Sequence, residues 1–573
     1  MSTNVACLSK ENSSRFWQSR WPTVVLVVTM LVTGACGLVY EYVLSTVSTY
    51  ILGNSIEQFS VIIALMLLSM GVAGYLQKFS DDSRLADKFI IAELLLATIG
   101  GFAPIAVYTA FAQLSDHFQI ILYATVIAVG ALIGLEIPLA VRINEKYVAA
   151  LKGNIASVWG ADYIGSFLGA IIWTRVLLKY LPLTKISFVL AGCNLFVALL
   201  VFTTFWRAGL VHRRYGILVS FVLVGAALSI GFVRNVGWSQ NLEQQLYDEP
   251  IVFSETTRYQ RLVVTHDVEL DDYRLYINGN LQFSSVDEAI YHEMLVLPAM
   301  SLVHPKDVLI LGGGDGLALR EVEKFRDVQN ITLVDLDPEM IKLASTNAVF
   351  RRLNKDSFHD ARVHASASLG VVPAGIKKPL YQESEDDERK WRRGRIEPKL
   401  NKIGWVDVYN VDADKFLSLA RGHWDVVIVD LPDPNAIELA KLYSQEFYAK
   451  IRKRLAPGGM VVVQASSPYH SKEAFLCMKR TMEAAGLAVL PYHQNVPSFG
   501  DWGWLLGRNK ADHRARTVGN LKITVPTTYL TPDVWRSSLA FGKGMLETEE
   551  RDVSTLMQPA ILRWYVDEGW KIE

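Results

Sequence analysis

Four aspartates in the C-terminal half of the chain each follow a short aliphatic run. They are Asp315 in "LILGGGDGLALREV" (Leu309–Val322), Asp335 in "LVDLDPEM", Asp412 in "YNVDADKF" and Asp430 in "VIVDLPDPN". The first stretch also carries Gly312, Gly313, Gly314 and Gly316. A glycine-rich turn after a strand lets the backbone approach a nucleotide closely. The spacing here is G-x-G-x-G. The dinucleotide pattern G-x-G-x-x-G would need glycine where Leu317 stands. The observed spacing suits a nucleoside joined to a sulfonium. Asp335, about twenty residues on, is placed to accept hydrogen bonds from ribose hydroxyls. Asp412 is placed to reach an adenine amino group. Either acid could instead cap a helix N-terminus.

Asp315 narrows the ligand. A methyl-donating sulfonium nucleoside carries a carboxylate on its methionine tail. Beside Asp315 that carboxylate would be repelled, by on the order of 1 kcal/mol in water and several in a partly dry site. Without it the tail ends in an ammonium, and Asp315 becomes its partner. Asp430 and Asp433 flank a proline-stiffened loop and suit a cationic amine. One can take a proton while the other helps to hold positive charge.

These residues need a scaffold that brings strand ends together. The runs "DVLIL", "NITLVDL", "WVDVYNV", "WDVVIVDL" and "GGMVVVQA" alternate with helical patterns. Continuous Val/Ile strands between helices predict a parallel sheet covered on both faces, with ligands outside the carboxyl ends of its strands. Before it, "RYQRLVVTHDVELDDYRLYINGNLQF" alternates and has turn signals at "DD" and "NGN", predicting a small antiparallel sheet. A helix is expected over Asp287–Leu297. The fold class is therefore a multi-span α-helical membrane domain followed by an α/β Rossmann-like, methyltransferase-type domain with a small N-terminal antiparallel β-sheet. The expected boundaries are 1–240 for the membrane part, 250–285 for the hairpin sheet, 286–520 for the Rossmann-like part and 521–573 for a C-terminal extension. The charged stretch Pro379–Lys402 is expected to be an exposed loop.

The chain has 573 residues and 51% hydrophobic ones, concentrated in the first 235. Seven apolar segments centre on Pro22–Val39, Ile62–Gly74, Phe89–Ala112, Ile120–Val141, Ala156–Leu178, Ile186–Phe205 and Tyr215–Val233, each read as a transmembrane helix. "YEYVLSTVSTYILG" fits either a surface helix or part of a span. Small residues in "SMGVAG" and "GSFLGA" suit close helix packing. Glu41, Glu93, Glu136 and Asp162 fall in or near these segments. Such acids mark functional sites or lie at helix ends, and each can be placed near a boundary, which favours the second. A net charge of −1 gives no basis for a nucleic-acid partner. The four cysteines, Cys7, Cys36, Cys193 and Cys477, are too dispersed for a disulfide framework or a Cys-type metal site.

The ordered set "RYQRLVV", "GNLQFSSVDEAIYHEM", "LILGGGDGLALREV", "LVDLDPEM", "DLPDPN…KLYSQEFY" and "APGGMVVVQASSP" resembles the spermidine synthase (polyamine aminopropyltransferase) family, from about Arg258 to Gly507. The fused N-terminus is similar to the membrane-anchored bacterial branch. The resemblance implies transfer of the aminopropyl group of decarboxylated S-adenosylmethionine to putrescine, giving spermidine and methylthioadenosine. In this reading Gln260, Gln282 and Asp315 hold the aminopropyl end, Asp335 the ribose, and Asp412 with Ala413 the adenine. Tyr291, Asp430, Asp433 and Gln464 lie on the amine side, with Asp430 as proton acceptor. His292 belongs to the same motif without an assigned role. Phe499 stands where the family often has tyrosine, which bears on the choice of amine. No metal and no resident cofactor are expected, the nucleoside being a co-substrate. A homo-oligomer in the inner membrane is expected, with its catalytic domain cytoplasmic. Transfer to another amine, methyl transfer and polyamine sensing or transport are the alternatives. Basic residues after even-numbered spans would place the domain outside, whereas supply of a charged nucleoside places it inside.

Overall fold

The computed structural model describes residues 21–52, 55–114, 117–145, 151–360, 405–512 and 521–566. The expected loop Pro379–Lys402 lies outside them. The chain divides into two compact units, Met1–Asp248 and Glu249–Glu573.

The first unit is helical. Its long elements are α1 (Trp21–Leu52), α2 (Ser55–Leu76), α3 (Leu85–Gln113), α4 (Phe118–Asn144), α5 (Leu151–Ile172), α6 (Leu183–Arg207) and α7 (Arg214–Gln244). Seven helices in this region are long and apolar enough to cross a membrane. Residues 40–52 of "YEYVLSTVSTYILG" belong to α1, which runs unbroken to Leu52. The glycines of "GSFLGA" pack closely, whereas a Cβ at Gly71 of "SMGVAG" would meet no atom of the described residues within 4 Å. A Cβ at Gly165 would come within 2.0 Å of the Leu31 carbonyl oxygen, so α1 and α5 meet backbone to backbone there. Glu93, Glu136 and Asp162 differ from the favoured expectation, since they sit inside α3, α4 and α5.

The second unit opens with an antiparallel sheet in the order β1 (Ile251–Thr256), β2 (Arg261–Asp267), β3 (Asp272–Ile277) and β4 (Asn280–Ser284). Asn278 and Gly279 turn between β3 and β4 with φ of 50° and 81°, the left-handed pair that an Asn-Gly hairpin supplies. The helix α8 (Glu288–Val303) follows and runs through Pro298. Proline cannot donate to the Met294 carbonyl one turn back. The buried Tyr492 hydroxyl donates to it instead, at 2.8 Å.

A seven-stranded sheet then has the order β10-β11-β9-β8-β5-β6-β7. Its parallel part is β5 (Asp307–Gly312), β6 (Asn330–Asp335), β7 (Trp405–Asn410), β8 (Trp424–Asp430) and β9 (Leu455–Gln464), the five expected aliphatic runs. β10 (Leu487–Val496) and β11 (Gly500–Asn509) add an antiparallel edge. Sequence order reverses between β5 and β8, the switch point where such sheets open a crevice at the strand ends. The segment after Leu521 packs on the same core. Glu293, buried in α8, accepts from the N–H groups of Thr528, Tyr529 and Leu530 at 2.6–2.9 Å. Trp535, Ile561 and Trp564 are buried as well.

Candidate active site

The glycine loop joins β5 to the helix α9 (Leu317–Glu323). Gly312 pairs with Asp430 across the β5–β8 ladder and has φ of 87°, and a Cβ there would lie 1.8 Å from the Asp430 carbonyl oxygen. Gly314 is held as closely, since its Cβ would meet the Asp335 carboxylate at 2.6 Å. Only glycine lets the loop lie between these two acids.

Asp335, at the end of β6, accepts from the N–H groups of Gly314 at 3.0 Å and Asp337 at 2.8 Å. Burial pushes its carboxyl up to about 7, against these two bonds. Asp337, not Asp335, caps the next helix, α10 (Pro338–Thr346). Thr257 donates to Asp337 at 2.7 Å, and Gln260 hydrogen-bonds it too. Gln260 therefore sits on the Asp335–Asp337 side of the loop. Gln282, on β4, donates to the Asn280 and Leu281 carbonyls at 3.1 and 3.3 Å. Asp315 follows the loop, and its carboxylate accepts from the Leu317 N–H at 2.9 Å. Burial raises its carboxyl, while the nearby His292 charge opposes the rise.

Asp412 is the N-cap of the helix Ala413–Leu419, accepting from Lys415 N–H at 2.9 Å and from Lys441 Nζ at 2.6 Å. Ala413, buried, opens that helix. The cap and the strand-end position are both real, and Lys441 is a neighbour the local pattern did not indicate.

On the other side of β5, the Tyr291 hydroxyl donates to Asp430 at 2.8 Å. Burial pushes the Asp430 carboxyl up to about 6, with Asp315 adding to the rise while His292 and Tyr291 hold it down. Asp433 is gripped twice. Gln464 donates to it at 2.9 Å and Tyr565 at 2.8 Å. The Gln464 amide also reaches the Leu431 carbonyl and the Tyr443 hydroxyl, each at 2.7 Å. Tyr291 is walled by aromatic rings, with Phe499 at 5.9 Å and Trp504 at 5.8 Å between centroids. Phe499 itself lies 4.9 Å from Trp502. One end of the crevice thus offers carboxylates, hydroxyls and an amide beside apolar rings, which fits a flexible cation with an aliphatic middle.

His292 acquires a place. Its Nδ1 lies 2.9 Å from Glu288, which also takes two hydrogen bonds from Arg320 at 2.7 and 2.9 Å. Burial would lower the His292 pKa, but Glu288, Asp315 and Asp430 raise it to about 9. A cationic imidazolium therefore stands beside Asp315 and Asp430. His292 was singled out from sequence without a role, whereas Tyr565, Tyr443, Glu288 and Arg320 were not. The only local signal was the i, i+4 spacing of Glu288 and His292.

The Spermine/spermidine synthase domain family matches residues 288–372 and 403–517. A "Polyamine aminopropyltransferase 2" of Ralstonia nicotianae is 36% identical over 553 residues, which span 95% of this chain and 98% of that one. A "Polyamine aminopropyltransferase 1" of Streptomyces coelicolor is 36% identical over 558 residues, 96% of each chain. Among solved structures, spermidine synthase from Thermotoga maritima matches with a TM-score of 0.40 and 20% identity, over 52% of this chain and 87% of that one. The likeness spans nearly the whole chain, helical unit included, and the chain belongs to the spermidine synthase (polyamine aminopropyltransferase) family.

Proposed function

We propose that the protein transfers the aminopropyl group of decarboxylated S-adenosylmethionine to putrescine, giving spermidine and methylthioadenosine. The observation that carries this reading is the Tyr291–Asp430 hydrogen bond at the β5–β8 switch point, with Asp315 on one side and Asp433 on the other. The amine nitrogen attacks the methylene carbon next to the sulfonium. A C–N bond forms, the C–S bond breaks, and its electron pair stays on sulfur, leaving a neutral thioether. The proton leaves the nitrogen for Asp430, directly or through Tyr291. No resident cofactor is needed. In this reading Gln260, Gln282 and Asp315 hold the aminopropyl end, Asp335 the ribose, Asp412 and Ala413 the adenine, and Asp433 with Gln464 the far ammonium. Much of the acceleration comes from holding nitrogen, carbon and sulfur in line. Incubating the full-length protein with putrescine and each form of the donor, then weighing the products, tests the reading. Methylated amine from the undecarboxylated donor would replace it with methyl transfer.

Asp315 sets donor choice. Asp315→Asn should weaken the decarboxylated donor by ~1–3 kcal/mol, the size of a charged hydrogen bond, and should weaken S-adenosylmethionine less. Titrating both donors by calorimetry checks this, and equal losses would remove the electrostatic explanation.

Tyr565 acts on the acceptor through Asp433. Tyr565→Phe removes one donor to that carboxylate and should raise KM for putrescine about fivefold, for a bond worth ~1 kcal/mol. Turnover at saturating amine should stay within about twofold. An unchanged KM with lowered turnover would place Tyr565 in the chemical step instead.

We further propose that α1–α7 anchor the protein in the inner membrane with the second unit on the cytoplasmic side, because a charged nucleoside does not cross a bilayer unaided. Reporter fusions at the C-terminus and between Arg207 and Tyr215 test this. A C-terminal reporter active only outside would overturn it.

A further inference from the structure

The helical unit holds a polar cluster that aminopropyl transfer does not use. Glu93 on α3 and Glu136 on α4 are 0% and 2% exposed. Asn194 on α6 donates to Glu93 Oε2 at 2.8 Å and accepts from the Tyr40 hydroxyl of α1 at 3.3 Å. The Tyr40 ring fits because Gly100 of α3 has no Cβ, which would lie 2.7 Å from it. One oxygen of each carboxyl, Glu93 Oε1 and Glu136 Oε1, is buried with no hydrogen-bond partner. The two glutamates are near enough to feel each other's charge, and Asp162 of α5 acts on Glu136 as well. Among the described residues of this unit, every buried charged side chain is an acid, and neither glutamate has an ion pair.

Acids placed so deep are costly unless something compensates them. Apolar side chains would pack there more favourably, and the chemistry the cluster lacks is a cation that can donate hydrogen bonds. Its groups are two carboxylates, a carboxamide and a phenol hydroxyl, with the Thr33 hydroxyl hydrogen-bonded to Glu136. The amine side of the crevice has the same kinds in Asp430, Asp433, Gln464 and Tyr291. A primary ammonium offers three donors, and Glu93 Oε1 and Glu136 Oε1 can each take one.

We propose that Glu93, Glu136, Asn194 and Tyr40 form a second amine site, which binds the primary ammonium of an aliphatic di- or polyamine within the helical unit. The ligand class rests on the proposed aminopropyl transfer. The existence of a cation site rests on the helical unit alone.

The test uses full-length protein in lipid nanodiscs without donor, with radiolabelled putrescine and spermidine as probes in equilibrium dialysis. The Glu93→Gln/Glu136→Gln variant should lose one of two classes of bound amine and keep aminopropyl transfer. Asp433→Ala should weaken the other class only. A double variant that binds both amines as the wild type does would overturn the proposal. Absence of aminopropyl transfer by the wild type would count against the proposed function, and the dialysis comparison would still judge the site. A second measurement needs no substitution. Dicyclohexylcarbodiimide modifies carboxyls in apolar surroundings, and adducts at Glu93 and Glu136 are mapped by peptide mass. Putrescine should slow their formation several-fold. Equal rates with and without amine, or no adduct at either glutamate, would overturn the proposal.

Discussion

Asp430→Asn should lower turnover by about 10²–10⁴-fold, the usual contribution of a positioned general base, with donor affinity changed less than about twofold. Asp430 stands at the end of the central strand β8, and its backbone pairs with Gly312 at the start of the glycine loop. The proposed base is thus fixed to the glycine loop, the element proposed to receive the donor. Asparagine keeps the shape and can still accept from Tyr291, but it cannot take a proton from the attacking amine. A pH signature accompanies the loss. As the proposed base, Asp430 must be ionised to act, and burial pushes its carboxyl up to about 6. Wild-type kcat/KM should therefore rise with pH through that region. Tyr291→Phe removes a hydrogen bond that favours the carboxylate and should move this limb to higher pH. Rates at saturating putrescine, with donor binding measured separately, check the first claim. Undiminished turnover in Asp430→Asn would take the base role from this residue.

The parts of the site carried by short contiguous segments were legible in the sequence. Five aliphatic runs became five parallel strands because burial on both faces leaves no place for polar alternation. The glycine loop and its acids were legible for the same reason, each lying within a few residues of a strand end. What escaped depends on partners distant in the chain. β10 carries Pro491, His493 and Gln494, an unpromising strand by composition. It forms because it is the sheet's edge, where a proline is tolerated. The helix expected to stop before Pro298 continues because Tyr492, almost two hundred residues on, satisfies the stranded carbonyl. Tyr565 meets Asp433 across 132 positions, and no local pattern announces that pairing. The buried acids of α3 and α4 were visible as residues. Their position inside the helices follows from where the helices begin and end, which apolar runs define only loosely.

Glu288→Gln should destabilise the protein by ~3 kcal/mol, near the lower end for breaking a buried ion pair. Glu288 is 6% exposed and takes both hydrogen bonds from an equally buried Arg320 while contacting His292. Glutamine keeps the volume but leaves Arg320 with Glu321 as its remaining charged partner, which is why the loss should stay near that lower end. The signs of the titrations give a test that mere misfit would not pass. Burial alone would raise the Glu288 carboxyl, yet His292 and Arg320 hold it down at about 2. Its contribution is complete above the ordinary carboxyl range and fades as pH falls toward that value. His292 is raised to about 9, so its contribution is complete below about 6.5 and is lost as pH rises through 9. The stability gap between wild type and variant should therefore be widest between about pH 4.5 and 6.5 and narrow toward pH 9 and above. Thermal unfolding of the full-length protein in detergent across this range measures it. The same change should reach the chemistry. An uncharged His292 no longer favours the Asp430 carboxylate, so the acid limb of kcat/KM should move to higher pH in Glu288→Gln. A pH-independent gap together with an unmoved acid limb would reduce the cluster to packing and detach it from the reactive acids.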